Sequence, residues 1–128
     1  MLRDSVVTLP NGMQLIGRDD RSNTARRSLQ ELMAGIDKSN PILLLDHQPY
    51  KLTESEAAGV DLQFSGHTHR GQVWPMNWVT DHIYEQSHSY RQWGNSHIYV
   101  SSGLSLWGPP FRIGTESDMA VFHLSTKK

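Results

Sequence analysis

The chain has 128 residues, 37% hydrophobic and 20% charged, with a formal net charge of -1. That is enough for one small domain with its own core, and the charge balance excludes nucleic acid held by bulk electrostatics. With no cysteine, disulfides and thiolate metal sites are excluded. No apolar run approaches the roughly 18 residues that span a bilayer, and the N-terminus lacks a signal-peptide pattern, so the chain reads as soluble. Met1 to Asp4 leads straight into strand-like sequence, as at an end cut inside a longer protein.

Ser5 to Leu9 is rich in β-branched residues, and Met13 to Gly17 is a second apolar run. Asn11-Gly12 between them predicts a hairpin with a type I′ turn, in which both residues take positive φ. Arg18 to Asn23 is polar. Adjacent carboxylates at Asp19-Asp20 would point opposite ways on a strand, so turn or salt-bridge contacts are expected of them rather than metal binding. Leu29, Leu32, Met33 and Ile36 recur at helical spacing, predicting a helix over Thr24–Ile36 capped by Ser22 or Thr24 and ended by Ser39-Asn40-Pro41.

The continuous apolar run Ile42–Leu45 predicts a strand buried on both faces. Asp46-His47-Gln48-Pro49 follows it, at the carboxyl end where ligand sites gather in α/β folds. Thr53-Glu54-Ser55-Glu56 reads as a capping box opening a short helix that stops at Gly59. Val60 to Ser65 alternates like a half-buried strand and runs into Gly66-His67-Thr68-His69. If the extended conformation continues past Gly66, His67 and His69 project from one face. The Ile42-to-Leu62 connection is long enough for a crossover between parallel neighbours. Parallel strands would bring His47, His67 and His69 to one sheet edge, and three converging imidazoles predict a metal site.

Pro75 starts a loop, with a short helix to follow before Gln86; His82 and His88 are expected to face solvent. Tyr90–Trp93, Gly94-Asn95 and His97–Val100 predict a second hairpin, with His97 a strand residue outside the chemistry. Ser101 to Gly114 holds three glycines and two prolines around Trp107 and Phe111, which predicts an ordered loop lining a pocket. There Arg112 either reaches an anionic group bidentately or sits in a salt bridge. Met119 to Leu124 reads as a closing strand carrying His123, and Ser125 to Lys128 as a frayed end.

Asp46-His47-Gln48-Pro49 and Ser65-Gly66-His67-Thr68-His69 resemble the last two motifs of the calcineurin-like metallophosphoesterases. Ser102-Gly103-Leu104 and Trp107 to Gly114 are similar to a bacterial branch of membrane-associated or exported phosphodiesterases. The resemblance implies an α/β fold: part of a four-layer α-β-β-α sandwich with a mixed sheet and few helices. It implies that His47 and His67 bind one metal ion, that His69 binds another, and that Gly66 lets the loop approach them. It implies two ions (manganese, iron or zinc), a phosphomonoester or phosphodiester substrate, and in-line attack by a metal-bound hydroxide. Arg70, where that branch commonly has glycine, would face the phosphate or point to solvent.

The family's earlier motifs, Asp-x-His, Gly-Asp-x-x-Asp and Gly-Asn-His, do not occur in the chain. They would carry the bridging aspartate, an asparagine ligand and the histidine that protonates the leaving group. Residues 1–128 therefore read as the C-terminal portion of such a domain, nearly inactive alone, whose first partner is the missing N-terminal half. Self-association through uncovered sheet is a second expectation, and membrane contact is expected only through an upstream segment. The alternative is a small non-catalytic module that keeps a three-histidine half-site for one zinc ion.

Overall fold

The computed structural model describes residues 1–125. Six strands form one mixed sheet in the order β1-β2-β3-β4-β6-β5: β1 Ser5–Thr8, β2 Gln14–Gly17, β3 Ile42–Leu45, β4 Leu62–Ser65, β5 Ser89–Trp93 and β6 Ser96–Val100. β2, β3, β4 and β6 are parallel, and the antiparallel edge strands β1 and β5 come from the two predicted hairpins. Helices α1 (Leu29–Met33), α2 (Leu52–Ala58) and α3 (Met76–Ile83) complete an α/β fold with few helices.

The first hairpin forms, but not with a type I′ turn. Gly12 takes φ +86 while Asn11 does not enter positive φ. The Gly12 N–H donates to Leu9 O at 2.9 Å, as in a three-residue loop whose last residue is left-handed. α1 is much shorter than its periodicity predicts. It starts after Ser28, whose hydroxyl and Glu31 form a reciprocal capping box, so the cap lies beyond Ser22 and Thr24. Leu29, Leu32 and Met33 still bury the predicted face against Ile16, Ile42, Leu44 and Val60.

The capping box expected at Thr53 does not form. α2 begins two residues earlier, after Lys51 in left-handed conformation, and the Glu85 carboxylate accepts from Leu52 N–H at 3.2 Å. Gly59 ends the helix as predicted, at φ +84.

β3 is covered on one face only. Ile42 and Leu44 are buried under α1, whereas Leu45 is 37% exposed. β4 reverses the expected alternation. Gln63 faces the helices, buried between the Ser55 hydroxyl at 2.6 Å and the Ser65 hydroxyl at 3.0 Å. Phe64 lies on the other face, stacked on Tyr99 at 6.0 Å with Phe122 edge-on. Phe122 reaches there without a closing strand, because Met119–Leu124 makes no ladder. The chain thus shows part of a layered sandwich: one sheet, α1 and α2 on one face, apolar residues across the other. The expected frayed end at 126–128 lies outside the described residues.

Candidate metal centre

The carboxyl ends of β3 and β4 are tied together one residue beyond the strands, where Asp46 N–H donates to Phe64 O and Gly66 N–H to His47 O at 3.0 Å. β4 does not continue extended. His67 has φ +70, and His69, Arg70, Gly71 and Gln72 are all left-handed as well. Side chains there no longer alternate, so the one-face argument for His67 and His69 fails. The turn instead swings His67 back toward its parallel neighbour. Its Nδ1 stands 3.3 Å from His47 Nε2, with the rings edge-on at 5.1 Å and 81°. Gly66 is not left-handed, and a Cβ there would only touch His47 Nδ1 at 3.9 Å. The position that needs glycine is Gly71, where a Cβ would lie 2.4 Å from the Asn77 amide at the start of α3.

His69 opens the short 3-10 turn His69–Gly71. It is half-buried, and its Nδ1 is buried without a hydrogen-bond partner. Gly103 passes over the ring so closely that a Cβ would approach Cε1 to 3.4 Å. Partial burial, then the neighbouring His47, hold the His67 imidazolium form disfavoured. Burial, then the charge of Arg112, does the same for His69. Both shifts favour the neutral ring, the form that offers a lone pair to a metal. Tyr84 lies edge-on to His67 at 6.4 Å; burial and the Tyr50 hydroxyl push its own hydroxyl up to about 12.

Two facing imidazole nitrogens and an orphaned third suit first-row metal ions. Among the described residues no three His, Asp or Glu side chains lie close enough to hold an ion together. Asp19 and Asp20 make the turn contacts expected of them, Asp20 accepting from Ser22 N–H at 2.8 Å. The charge of Asp20 nevertheless bears on His67, which its place in a polar turn did not signal.

Three further groups fix this edge. Asp46, 3% exposed, binds Arg18 at 3.2 Å and Arg26, so a buried charge clamp holds the residue before His47. The Thr68 hydroxyl donates to Ser87 O at 2.6 Å and accepts from Arg70 N–H at 3.2 Å, pinning the residue between His67 and His69. Gln72, 2% exposed, donates to Trp107 O at 2.6 Å, Pro109 O at 2.9 Å and Phe111 O at 3.2 Å, and its Oε1 accepts from Trp107 N–H at 2.6 Å. One amide thereby holds the predicted ordered loop against the histidine turn. A partner 35 residues away leaves no local pattern in a sequence.

Arg112 sits in neither of its two expected settings. Its Nη1 donates to His69 O at 3.2 Å, and its Nη2 to Ser102 O at 2.8 Å and to Gly103 O and Ser105 O at 3.0 Å. It is packed into carbonyls behind His69. Arg70 is half-buried, and its charge bears on His88. His88 is itself half-buried rather than solvent-facing, 2.9 Å from the Ser87 hydroxyl. His82 is exposed, and His97 is exposed on β6 with the Tyr90 hydroxyl at 2.7 Å.

No protein-family model and no solved structure matches the chain. Curated relatives do. An uncharacterized metallophosphoesterase of Helicobacter pylori strain J99 is 39% identical over 93 residues, covering 71% of this chain and 25% of the relative. An uncharacterized metallophosphoesterase of Bacillus subtilis is 31% identical over an alignment of 138 residues, covering 91% of this chain and 46% of the relative. A transmembrane protein with metallophosphoesterase domain from Bos taurus is 30% identical over 95 residues, covering 71% and 21%. The chain thus spans less than half the length of each. The likeness runs through most of the chain and agrees with its mixed sheet and sparse helices, and the chain belongs to the calcineurin-like metallophosphoesterases.

Proposed function

We propose that this chain is the C-terminal portion of a metal-dependent phosphoesterase and contributes His47, His67 and His69 to a two-metal centre. The observation that carries the proposal is the 3.3 Å approach of His67 Nδ1 to His47 Nε2 across two parallel strand ends. Close-set neutral imidazoles are poor structural glue and good metal donors. Metal ions of this kind, when bound, polarise phosphoryl oxygens. Three neutral rings do not offset the charge of two cations, so the bridging carboxylate comes from outside these residues.

In this reading the chain's own residues place the donors. Thr68 holds the left-handed turn that aims His67 and His69. The Asp46 clamp fixes the end of β3 beneath His47. The loop around Gly103 covers His69. Arg112 acts behind His69, through the His69 carbonyl, and does not meet the substrate. Arg70, half-buried within the turn, is the one of the two arginines that remains as a phosphate contact. The substrate is a phosphomonoester or phosphodiester.

The test is His67→Ala in the natural protein that carries this chain, assayed on bis(p-nitrophenyl) phosphate and p-nitrophenyl phosphate with manganese present. The expected result is loss of at least 100-fold in rate at unchanged fold by circular dichroism. A rate within twofold of wild type would contradict the role given to His67.

A further inference from the structure

Asp118 lies outside the helices and strands, half-buried, and its carboxylate gathers three donors from one short stretch. Oδ2 accepts from the Tyr99 hydroxyl at 2.7 Å, and Oδ1 accepts from the Ser101 hydroxyl at 2.7 Å and from Gly103 N–H at 2.9 Å. The donors stand two residues apart at the end of β6. There Ser101 N–H donates to Ser65 O at 2.8 Å, which sets this stretch beside the end of β4, directly before Gly66-His67.

The third donor matters most, because Gly103 is the residue that passes over His69. At φ +80 its backbone lies so close that a Cβ would stand 3.4 Å from Cε1 and 3.5 Å from Nδ1 of the ring. Both polar groups of Gly103 are taken, its N–H by Asp118 and its carbonyl by Arg112 Nη2 at 3.0 Å. Arg112 also takes the carbonyls of Ser102 and Ser105 on either side. The cover over His69 is thus held from two directions, by a cation on its carbonyls and by an anion on its N–H and the Ser101 hydroxyl. Arg112 reaches His69 itself, through the His69 carbonyl. Among the described residues Asp118 bonds only to Tyr99, Ser101 and Gly103, so it acts on His69 through Gly103.

A metal-ligating imidazole is oriented by the groups around it, and losing such outer support costs about 10- to 100-fold in metal affinity. We propose that Asp118 is a positioning residue for His69: it ties Tyr99, Ser101 and Gly103 into one bonded unit whose backbone lies across the ring and fixes its angle. The inference rests on the metal reading of His69. It asks of position 118 an acceptor oxygen in the right place, and asks nothing of its charge.

The test is calorimetric titration of manganese into the metal-free natural protein that carries this chain, with the fold checked by circular dichroism. Asp118→Ala is expected to weaken binding about tenfold or more. Asp118→Asn, which keeps an oxygen for Ser101 and Gly103, is expected to stay within about threefold of wild type, well short of the loss in Asp118→Ala. In a His69→Ala background, Asp118→Ala is expected to cost less than about twofold further, because the ring it positions is gone. A residue that only stabilised the fold would cost as much there as alone. Gly103→Ala leaves Asp118 in place and presses a Cβ onto the ring. It is expected to show the same loss and the same dependence on His69, and it carries the test if Asp118→Ala does not fold. Wild-type affinity in Asp118→Ala beside a weakened His69→Ala would overturn the proposal. So would an undiminished cost in the His69→Ala background, or equal damage from Ala and Asn at 118. Wild-type affinity in His69→Ala itself would remove the metal reading of that ring, and the inference with it.

Discussion

The two strand ends that carry the histidines are fixed in different ways. The end of β3 is held by charge: Asp46 lies buried between Arg18 and Arg26 directly before His47. The end of β4 is held by shape and neutral hydrogen bonds: positive φ at His67 and from His69 to Gln72, the Thr68 hydroxyl on Ser87 O, and the Gln72 amide on three carbonyls. A charge clamp is rigid but fails outright when one partner goes, because the other charges are left buried and unpaired. A set of neutral pins fails in steps, each pin worth about one hydrogen bond.

Ordered by size, the predictions press on that contrast. Asp46→Asn leaves two buried guanidinium groups without a counter-charge, and should cost about 3–5 kcal/mol in a urea melt; a cost under about 1 kcal/mol would show that the clamp is dispensable. Gln72→Met keeps the volume but strands three carbonyls and an N–H, and should cost about 1–3 kcal/mol, with new protease cleavage inside 104–113. Thr68→Val should cost about 1 kcal/mol, while Thr68→Ser keeps the hydroxyl and most of the stability; equal losses would place the effect in the methyl group.

The smallest effect is one of pH. Burial first, then the charge of Arg70, holds His88 below its ordinary 6.5. The folded imidazole therefore takes up its proton less readily than the unfolded one. Its share of stability is complete above about 6.5 and is lost as pH falls through that value toward the folded one. His88→Gln should flatten this part of the pH–stability curve, and an unchanged slope would assign it elsewhere.

Most of the frame was legible from local pattern. Both hairpins, the β3 and β4 strands, their parallel pairing and the meeting of His47 with His67 follow from apolar runs, turn residues and connection length. Ser28-x-x-Glu31 and Thr53-x-x-Glu56 carry the same capping pattern, yet only the first forms a box. The Glu85 carboxylate, 33 residues downstream, already serves the second helix. Distance along the chain is the common cause of what was not legible. Gln72 finds its carbonyls 35 to 39 residues later, and Asp46 its arginines 20 and 28 residues earlier. The left-handed φ of His67 and His69 had no glycine to announce it, which is why the histidine pair read as extended. Arg112 read as a ligand for anions because carbonyl cages leave no composition signal.

The central claim is that His47 and His67 are donors to one metal centre. It is tested most directly by calorimetric titration of manganese and zinc into the metal-free natural protein, wild type against His47→Ala and His67→Ala. The account predicts that each substitution weakens binding at least tenfold, and that the double variant does little more damage than either alone, because the two rings serve one site. Wild-type affinity in either single variant would contradict it.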